Sequence, residues 1–313
     1  MQYRRLGNSG LEVSAIGLGT NNFGDNSRWP FQMGAKEVAG LIDASLDAGV
    51  NTIDTANAYG AGRSEEYIGL ALEGKREQAI IATKVYGRMG EGPNREGLSR
   101  KAIMHEVEQS LGRLRTDYID LYQLHQVDRV TPIEETLRAL EDLVRQGKVR
   151  YIGCSNFEAW RVCEAIWTSK AAGLSPMVAV QPAYSLLNRD VESEMLPFCD
   201  RYGVGVLPYF PLEHGLLTGK YRRGEKAPAG TRLASRTGSL ESADFDVLEG
   251  LEAFSSARGH TLLELAFAWL LSRPSVSSVI AGATSAEQIR ANAAAVDWQL
   301  TEQELGEIDA ILG

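Results

Sequence analysis

The chain has 313 residues, of which 44% are hydrophobic and 23% are charged, and its formal net charge is −9. Such a composition is typical of an ordinary globular protein and excludes collagen-like, disulfide-dense and disordered chains. The acidic balance argues against broad binding to nucleic acid or to anionic lipid, because both attract clustered positive charge.

The cysteines and the N terminus indicate the compartment. Cys154, Cys163 and Cys199 are too few and too scattered for a zinc ribbon or a disulfide framework, so we expect free thiols. The start of the chain lacks the apolar core of a signal peptide, and the sequence has no run of about 18 apolar residues. We therefore expect a cytoplasmic protein that binds neither membrane nor nucleic acid, while its oligomeric state stays open.

The N-terminal segment predicts a β-hairpin that leads into a first core strand. Two short extended runs flank the turn signal Asn8-Ser9-Gly10, and the core strand ends near Thr20. A helix is predicted over 36–49, where apolar residues recur at three- and four-residue spacing and Gly49 ends the pattern. The next strand begins at Asn51.

The alternation of strands and helices continues to the C-terminal region. Compact apolar runs predict further strands at 79–84, 118–125, 149–155, 178–181, 203–209 and 277–282. Helical spacing and start signals predict helices at 103–114, 131–147, 158–172, 190–202, 261–272 and from Ser285 onward. The second of these opens with Thr131-Pro132-Ile133-Glu134, which has the pattern of a capping box with proline at the first helical position.

Eight strands that alternate with helices predict an α/β protein of the (β/α)8 TIM-barrel class. We expect a single domain over residues 1–313, with the N-terminal hairpin and with long loops at the C-terminal face of the barrel. The main alternative is a doubly wound dinucleotide-binding fold, whose first strand should be followed by a G-x-G-x-x-G/A turn. The Gly-x-Gly sequences that begin at Gly17, Gly60 and Gly203 all lack the last small residue of that turn.

Ionisable side chains follow three successive strands. Asp54, Lys84 and His125 stand at strand ends, and Tyr59 lies in the loop just after Asp54. Taken singly, each is more often a solvated loop residue, a packed ring or a satisfied polar group. Because the carboxyl ends of barrel strands meet at one rim, the four together predict a catalytic site there.

Seven segments resemble the aldo-keto reductase family in order and spacing, over nearly the whole chain. They are NTIDTANAYGAGRSEEYIG, IIATK, RTDYIDLYQLH, RYIGCSNF, VQPAYSLLNR, PYFPLEHGLLTGKY and VIAGATSAEQIRAN. In that family the Asp, Tyr, Lys and His of these motifs form the catalytic tetrad, which here implies Asp54, Tyr59, Lys84 and His125. The resemblance implies an enzyme that reduces an aldehyde or ketone to an alcohol, reversibly, by hydride transfer.

The chemistry of carbonyl reduction suits these four side chains. Hydride transfer leaves negative charge on the carbonyl oxygen, so a proton donor is needed, and we expect Tyr59 to be this general acid. An ammonium at Lys84 would lower the pKa of the phenol, and Asp54 would keep Lys84 charged against the effect of burial. His125 would donate a hydrogen bond that orients the carbonyl.

None of these side chains can supply hydride, so a nicotinamide cofactor is required. The resemblance assigns Ser155, Asn156 and Gln181 to the carboxamide of this cofactor. Tyr209 would stack on its ring, and the loop that ends at Lys220 would wrap its pyrophosphate. Further cofactor contacts implied by the resemblance are Gly19, Thr20, Asn21, Asp54, Phe210, Pro211, Leu212, His214 and Gly215.

The residues expected at the adenosine end of the cofactor bear on the choice between NADPH and NADH. The residues that match adenosine contacts in similar proteins are Gly282, Thr284, Gln288 and Asn292. Ser285 and Gln288 could equally form only a helix capping box. Arg232 would meet a 2′-phosphate, which favours NADPH. NADH remains possible, because some relatives have Lys and Arg where this chain has Gly282 and Gln288.

The substrate pocket is expected to come from loops at the same rim. Candidate lining residues are Trp29, Phe31, Asn57 and Tyr86. The expected substrate is a small-molecule aldehyde or ketone, and sugar, steroid and xenobiotic carbonyls all stay open.

Two other functions compete with this interpretation. Relatives that resemble potassium-channel β subunits bind NADPH while serving a partner, so a regulatory or sensor module with little turnover is the alternative. The lack of an obvious docking extension at either end of the chain weighs against it. A metal-dependent barrel hydrolase or isomerase would need an H-x-H or carboxylate cluster at the strand ends, so we predict no metal site.

Overall fold

The computed structural model describes residues 1–24, 33–235 and 240–313. In these ranges the strands are β1 (Tyr3–Arg5), β2 (Glu12–Ser14), β3 (Ile16–Gly19), β4 (Thr52–Asp54), β5 (Ile80–Val85), β6 (Ile119–Leu124), β7 (Val149–Ser155), β8 (Met177–Gln181), β9 (Gly205–Val206) and β10 (Val279–Gly282). The α-helices are α1 (Ala35–Asp47), α2 (Arg63–Ala71), α3 (Arg100–Leu114), α4 (Ile133–Arg145), α5 (Ala159–Ala172), α6 (Met195–Tyr202), α7 (Phe245–Ser256), α8 (Leu262–Leu271), α9 (Ala286–Ala294) and α10 (Glu302–Leu312).

In the described part of the chain, the strands from β3 to β10 form one parallel sheet of eight strands. Their order, β10-β3-β4-β5-β6-β7-β8-β9, follows the chain around a ring. Parallel bridges between Val206 and Val276 and between Tyr209 and Ile280 join the two edges of the sheet. The predicted (β/α)8 barrel is therefore confirmed, and the carboxyl ends of its strands share one rim.

The predicted N-terminal hairpin is formed by the antiparallel pair of β1 and β2. Its turn lies against the start of β9, where the amide of Asn8 donates to the carbonyl of Gly203 at 2.8 Å. Leu6 and Val13 are buried in the same apolar cluster as Leu121 from the barrel interior. The hairpin thus covers the end of the barrel that lies opposite the catalytic rim.

The helices pack on the outside of the barrel through apolar stripes, as α4 illustrates. Leu137, Leu140 and Leu143 recur at three-residue spacing and are buried, whereas Arg138 donates to Glu134 on the exposed side at 2.7 Å. Each fully buried leucine side chain contributes about 1.5–3 kcal/mol by leaving water. Among the described helices, none has both the length and the apolar character needed to span a bilayer.

The predicted start of α4 is wrong. The helix begins at Ile133 with Pro132 as its N-cap, and no described side chain forms a cap hydrogen bond there. Thr131 does not cap the helix, because its hydroxyl donates to the Asp128 carboxylate at 2.8 Å. Pro132 therefore precedes the helix instead of forming its first residue.

Other departures concern helices that follow long connections. The helix predicted over 190–202 is divided into a 3-10 turn, Asp190–Glu192, and α6. The structure also contains α2, α7 and α10, which were not predicted from the sequence. The expected long loop contains α7, which the carboxylate of Asp244 caps. A capping box between Thr301 and Glu304 starts α10.

The contact between β7 and β8 generates a stability prediction. Gly153 lies where the pairing of β7 with β8 shifts register, and a Cβ there would approach the carbonyl oxygen of Ala179 to 2.7 Å. Gly153→Ala should therefore lower the free energy of unfolding by about 1–3 kcal/mol, because backbone must move. Urea denaturation measures this change.

Gly112→Ala is the matched control, since Gly112 lies in α3 and a Cβ there meets nothing within 4 Å. This substitution should raise stability by about 0.5–1 kcal/mol, because alanine favours the helix. A Gly153→Ala protein as stable as the native one would contradict the close packing of β7 on β8.

Candidate active site

The carboxyl ends of β4, β5 and β6 carry the predicted catalytic side chains. Asp54 is the last residue of β4, Lys84 the penultimate residue of β5, and His125 follows β6 directly. Tyr59 begins a short 3-10 turn after β4. The strand order makes these three strands neighbours, so the four side chains meet at one place on the rim.

The Lys84 ammonium is the centre of this group. Its Nζ donates to Asp54 Oδ1 at 2.6 Å, to the carbonyl of Thr55 at 2.9 Å and to the Tyr59 hydroxyl at 3.4 Å. These partners use all three N–H bonds of the ammonium. The exposed fraction of the Lys84 side chain is 0% and that of Asp54 is 4%, so the ion pair is buried.

Burial and pairing act on the pKa of Lys84 in opposite directions. Burial is the largest single effect and lowers it, but the charges and hydrogen bonds of Asp54 and Tyr59 together outweigh burial, and the pKa stands above its ordinary value of 10.5. Lys84 therefore remains a cation at neutral pH, as the chemistry of the site requires.

The pKa of Tyr59 differs from the sequence-based expectation. Burial raises this pKa, and the opposing effects of the Lys84 charge and hydrogen bond are smaller, so the pKa stands above its ordinary value of 10.0. Lys84 does lower the pKa of Tyr59, as predicted, but by less than burial raises it. Tyr59 is accordingly a protonated phenol at neutral pH, which is the form that donates a proton.

His125 is held as a neutral imidazole. Burial, followed by the nearby Lys84 charge, lowers its pKa from 6.5 to about 3. Its ring meets that of Tyr59 edge to face, with the ring centroids 5.8 Å apart. Asn156 donates from Nδ2 to the backbone carbonyl of His125 at 3.0 Å, which ties the end of β6 to that of β7.

A cavity of about 570 Å³ opens above these side chains, with Asp54, Tyr59 and His125 in its wall. All the residues predicted to contact the cofactor also line this cavity. At the end near the tetrad, the Tyr209 hydroxyl donates to Asn156 Oδ1 at 2.8 Å. The cavity therefore has the size and position expected of a ligand site on a barrel.

The loop after β9 supplies groups that suit an anion. Glu213, His214 and Gly215 have φ angles of 41°, 56° and 99°. The amides of Glu213 and Gly215 donate to the carbonyls of Phe210 and Leu212, so the anion-binding groups of this loop are its cationic side chains. A Cβ on Gly215 would lie 2.9 Å from the Lys220 ammonium, so glycine lets this cation approach the loop. The Arg232 guanidinium carbon lies 4.9 Å from the centre of the Phe210 ring.

The far end of the cavity is formed by the start of α9. The Ser285 hydroxyl accepts from the amide of Gln288 at 3.3 Å and so caps the helix. Gln288 Oε1 accepts from the amide of Thr284 at 2.8 Å, so the pair is not the reciprocal capping box that was the alternative. Gly282, Thr284, Gln288 and Asn292 line the cavity here.

This donor set fits a nicotinamide dinucleotide. Amide and hydroxyl groups that suit a carboxamide lie beside the tetrad at Ser155, Asn156 and Gln181, and the cations of Lys220 and Arg232 line the same cavity. A nicotinamide carboxamide and a diphosphate need these two kinds of partner. No group of metal-ligating side chains occurs within the described ranges.

The predicted substrate residues have different outcomes. Asn57 is buried, donates from Nδ2 to Glu106 Oε2 at 3.1 Å and is not part of the described cavity wall, so its role stays a prediction. Its backbone amide donates to the Lys84 carbonyl. Tyr86 is partly buried against the outer core and is not part of the cavity wall either. Trp29 and Phe31 lie outside the described residues.

The polar residues of the site that were not predicted from the sequence include Gln123 and Asn22. Gln123 is buried beneath the tetrad and donates from Nε2 to Asp54 Oδ2 at 3.3 Å. Asn22 lines the cavity and donates to the carbonyl of Ala283 at 2.9 Å. A signal existed for Gln123, because it lies two residues before His125 and alternate residues of a strand share one face.

A buried ion pair beneath a cavity of this size, on a parallel barrel, suits an oxidoreductase that uses a nicotinamide cofactor. The aldo/keto reductase family model matches residues 15–313. The chain belongs to the aldo/keto reductase family, and the predicted resemblance is confirmed. It is an NAD(P)H-dependent oxidoreductase that acts on small-molecule carbonyl compounds.

Curated relatives match the chain over almost its full length. A probable voltage-gated potassium channel subunit beta from Oryza sativa subsp. japonica is 39% identical over 327 residues, which cover 100% of this chain and 97% of the relative. An uncharacterized oxidoreductase from Bacillus subtilis (strain 168) is 39% identical over 314 residues, 97% of this chain and 93% of the relative. The versiconal hemiacetal acetate reductase from Aspergillus parasiticus is 34% identical over 329 residues, 97% of this chain and 95% of the relative.

The low pKa of His125 generates a prediction for solution NMR. In protein labelled with ¹⁵N-histidine, the ring signals of His125 should stay those of neutral imidazole down to pH 5, because its pKa is near 3. The His125→Asn protein assigns these signals by their loss. A change in the His125 signals with a midpoint near the ordinary value of about 6.5 would contradict the burial of this ring.

Proposed function

We propose that this protein reduces an aldehyde or ketone to an alcohol, with NADPH as the reductant and Tyr59 as the general acid. The observation that carries the proposal is the buried Lys84, whose ammonium contacts both Asp54 and the Tyr59 hydroxyl at the base of the cavity. This arrangement suits a step in which the phenol loses its proton. The reverse reaction, alcohol oxidation, uses the same groups.

Cofactor binding is assigned to the residues that line the cavity. Ser155, Asn156 and Gln181 would hold the carboxamide, and Tyr209 would stack on the ring. Lys220 and its loop would bind the pyrophosphate. When bound, the reduced nicotinamide supplies the hydride that no side chain can supply.

The protein itself provides the proton. As the carbonyl carbon gains hydride, its oxygen gains negative charge, and the Tyr59 O–H bond breaks to donate its proton to that oxygen. The phenolate that remains is stabilised by Lys84 Nζ, which lies 3.4 Å from the Tyr59 oxygen. Because the pKa of Tyr59 is raised by burial, the acid form persists through neutral and mildly alkaline pH.

His125 is assigned to substrate orientation. Since its pKa is lowered to about 3, the ring is uncharged and carries one N–H donor for the carbonyl oxygen. A neutral donor can hold the oxygen near Tyr59 without competing for the proton that Tyr59 delivers.

Tyr59→Phe tests the assignment of the acid. Carbonyl reduction should fall by about 10²–10⁴ in kcat, because general acid catalysis is lost, whereas the Kd of NADPH should change by less than about twofold, since only the hydroxyl is removed. Stopped-flow absorbance of the reduced cofactor gives the rate, and fluorescence quenching gives the Kd. Tyr202→Phe, on α6, is the matched control.

In the native protein, the reduction rate should stay constant from pH 6 to pH 9 and decrease only at higher pH, because the pKa of Tyr59 is raised. Alcohol oxidation should instead increase with pH. Near-native turnover by Tyr59→Phe with cofactor bound would remove Tyr59 from the mechanism.

The preference for NADPH over NADH rests on the cations of the cavity. Arg232 lines the cavity together with Lys220, and a guanidinium binds a phosphate through two parallel hydrogen bonds. We assign Arg232 to the 2′-phosphate, which NADH lacks. Gly282 and Gln288 are uncharged and cannot attract this phosphate, so we expect the discrimination between NADPH and NADH to depend largely on Arg232.

Substitution of the two cations tests cofactor choice. Arg232→Ala should raise the Kd of NADPH about tenfold and leave that of NADH unchanged, because only NADPH has the 2′-phosphate. Lys220→Ala should raise both Kd values by similar factors, since both cofactors carry the pyrophosphate. Isothermal titration calorimetry measures all four values, with Lys170→Ala on α5 as the charge-matched control. Equal weakening of both cofactors by Arg232→Ala would contradict the assignment.

A second candidate is a sensor module that binds NADPH with little turnover, since relatives from Oryza sativa and Arabidopsis thaliana are named as probable potassium channel subunits. The relative from Aspergillus parasiticus is named as a reductase and matches a similar share of the chain, so the names of the relatives do not decide between the two functions. A panel of aldehydes and ketones with NADPH separates the two functions. Multiple turnovers support the reductase, and cofactor oxidation limited to one equivalent supports the sensor.

A further inference from the structure

Gln123 occupies an interior position of β6 beside the tetrad. It pairs in register with Lys84 on β5, and its exposed fraction is 0%. Its Nε2 lies 3.3 Å from Asp54 Oδ2. A carboxylate only accepts hydrogen bonds, so this contact orients the amide with its nitrogen towards Asp54. The cavity wall does not include Gln123.

The Gln123 amide lowers the stability of the folded state. Within the described part of the chain, Gln123 Oε1 is buried without a hydrogen-bond partner, and an unpaired buried acceptor destabilises the folded state. Leu121, which faces the barrel interior two residues earlier on the same strand, is apolar. An apolar residue at 123 would suit the core better, so the glutamine needs a reason outside stability.

The Asp54 carboxylate gives that reason. Its Oδ1 accepts from Lys84 at 2.6 Å, and its Oδ2 accepts from Gln181 at 2.7 Å and from Gln123 at 3.3 Å. Gln181 lines the cavity, where it is assigned to the cofactor, whereas Gln123 lies below it. Of the two amides bound to Asp54 Oδ2, Gln123 is thus the one that does not line the cavity.

We propose that Gln123 is a positioning residue that holds the Asp54 carboxylate against the Lys84 ammonium, and so sets the rate of proton donation without touching cofactor or substrate. The inference rests on the proposed carbonyl reduction by Tyr59. Without the Gln123 amide, the carboxylate rotates about its side chain, Lys84 Nζ follows it, and the contact to the Tyr59 hydroxyl lengthens. The chemical step slows while the cavity keeps its shape.

Gln123→Met tests the proposal, because methionine fills a similar volume and removes only the amide. Single-turnover reduction should slow about tenfold, the size of effect expected from a lost hydrogen bond to a charged group. The Kd of NADPH should change by less than about twofold, and the Tm should stay equal or rise because the unpaired acceptor is gone. Leu121→Met is the matched control and should leave the rate unchanged.

A double-mutant cycle with Asp54→Asn separates positioning from a general packing defect. If Gln123 acts through the carboxylate, Gln123→Met should slow the Asp54→Asn protein by less than about twofold, because the partner is already changed. An equal slowing in both backgrounds, or an unchanged rate in Gln123→Met alone, would overturn the proposal.

Failure of this inference is distinct from failure of the proposed function. If the native protein turns over carbonyls and Tyr59→Phe does not, the reductase assignment stands whatever Gln123→Met does. If the native protein turns over no carbonyl compound, both proposals are overturned together.

Discussion

The buried ion pair between Lys84 and Asp54 is the constraint on which the site depends. An ammonium with no solvent exposure would lose its proton unless a carboxylate compensated for the water it has left. Asp54 supplies that compensation at 2.6 Å, and the remaining oxygen of the carboxylate is bound by amides. The charge that a developing phenolate needs is therefore already present before any ligand enters, which is the meaning of electrostatic preorganisation.

The same burial keeps the Tyr59 phenol protonated at neutral pH. Removal from water raises the pKa of Tyr59 more than the neighbouring cation lowers it. His125 responds to the same surroundings with a lowered pKa, and its ring stays neutral. One low-dielectric environment thus keeps Tyr59 protonated and His125 uncharged, which is what the proposed roles of acid and hydrogen-bond donor require.

The fold and the meeting of the tetrad were predictable because both depend on regular patterns. Strand and helix periodicities indicate a barrel, and residues at the ends of neighbouring parallel strands must lie close together. Asn57 could not be placed in this way, because its direction depends on Glu106, a partner distant in the chain. The start of α4 was misjudged for a similar reason, since Asp128 competes for the Thr131 hydroxyl. The net pKa of Tyr59 requires a balance of burial and charge that no motif contains.

The order of strands around the barrel separates the two tasks of the site. The candidate catalytic residues follow β4, β5 and β6, whereas the candidate cofactor residues come chiefly from β7 through β10 and from β3. Apart from Asp54, which is a candidate for both tasks, the two sets of residues occupy different arcs of the ring, and the bond from Gln181 to Asp54 joins the arcs. A substitution in the arc of β7 through β10 can therefore alter the contacts proposed for the coenzyme while the Lys84–Asp54 ion pair and the Tyr59 phenol keep their places in the other arc.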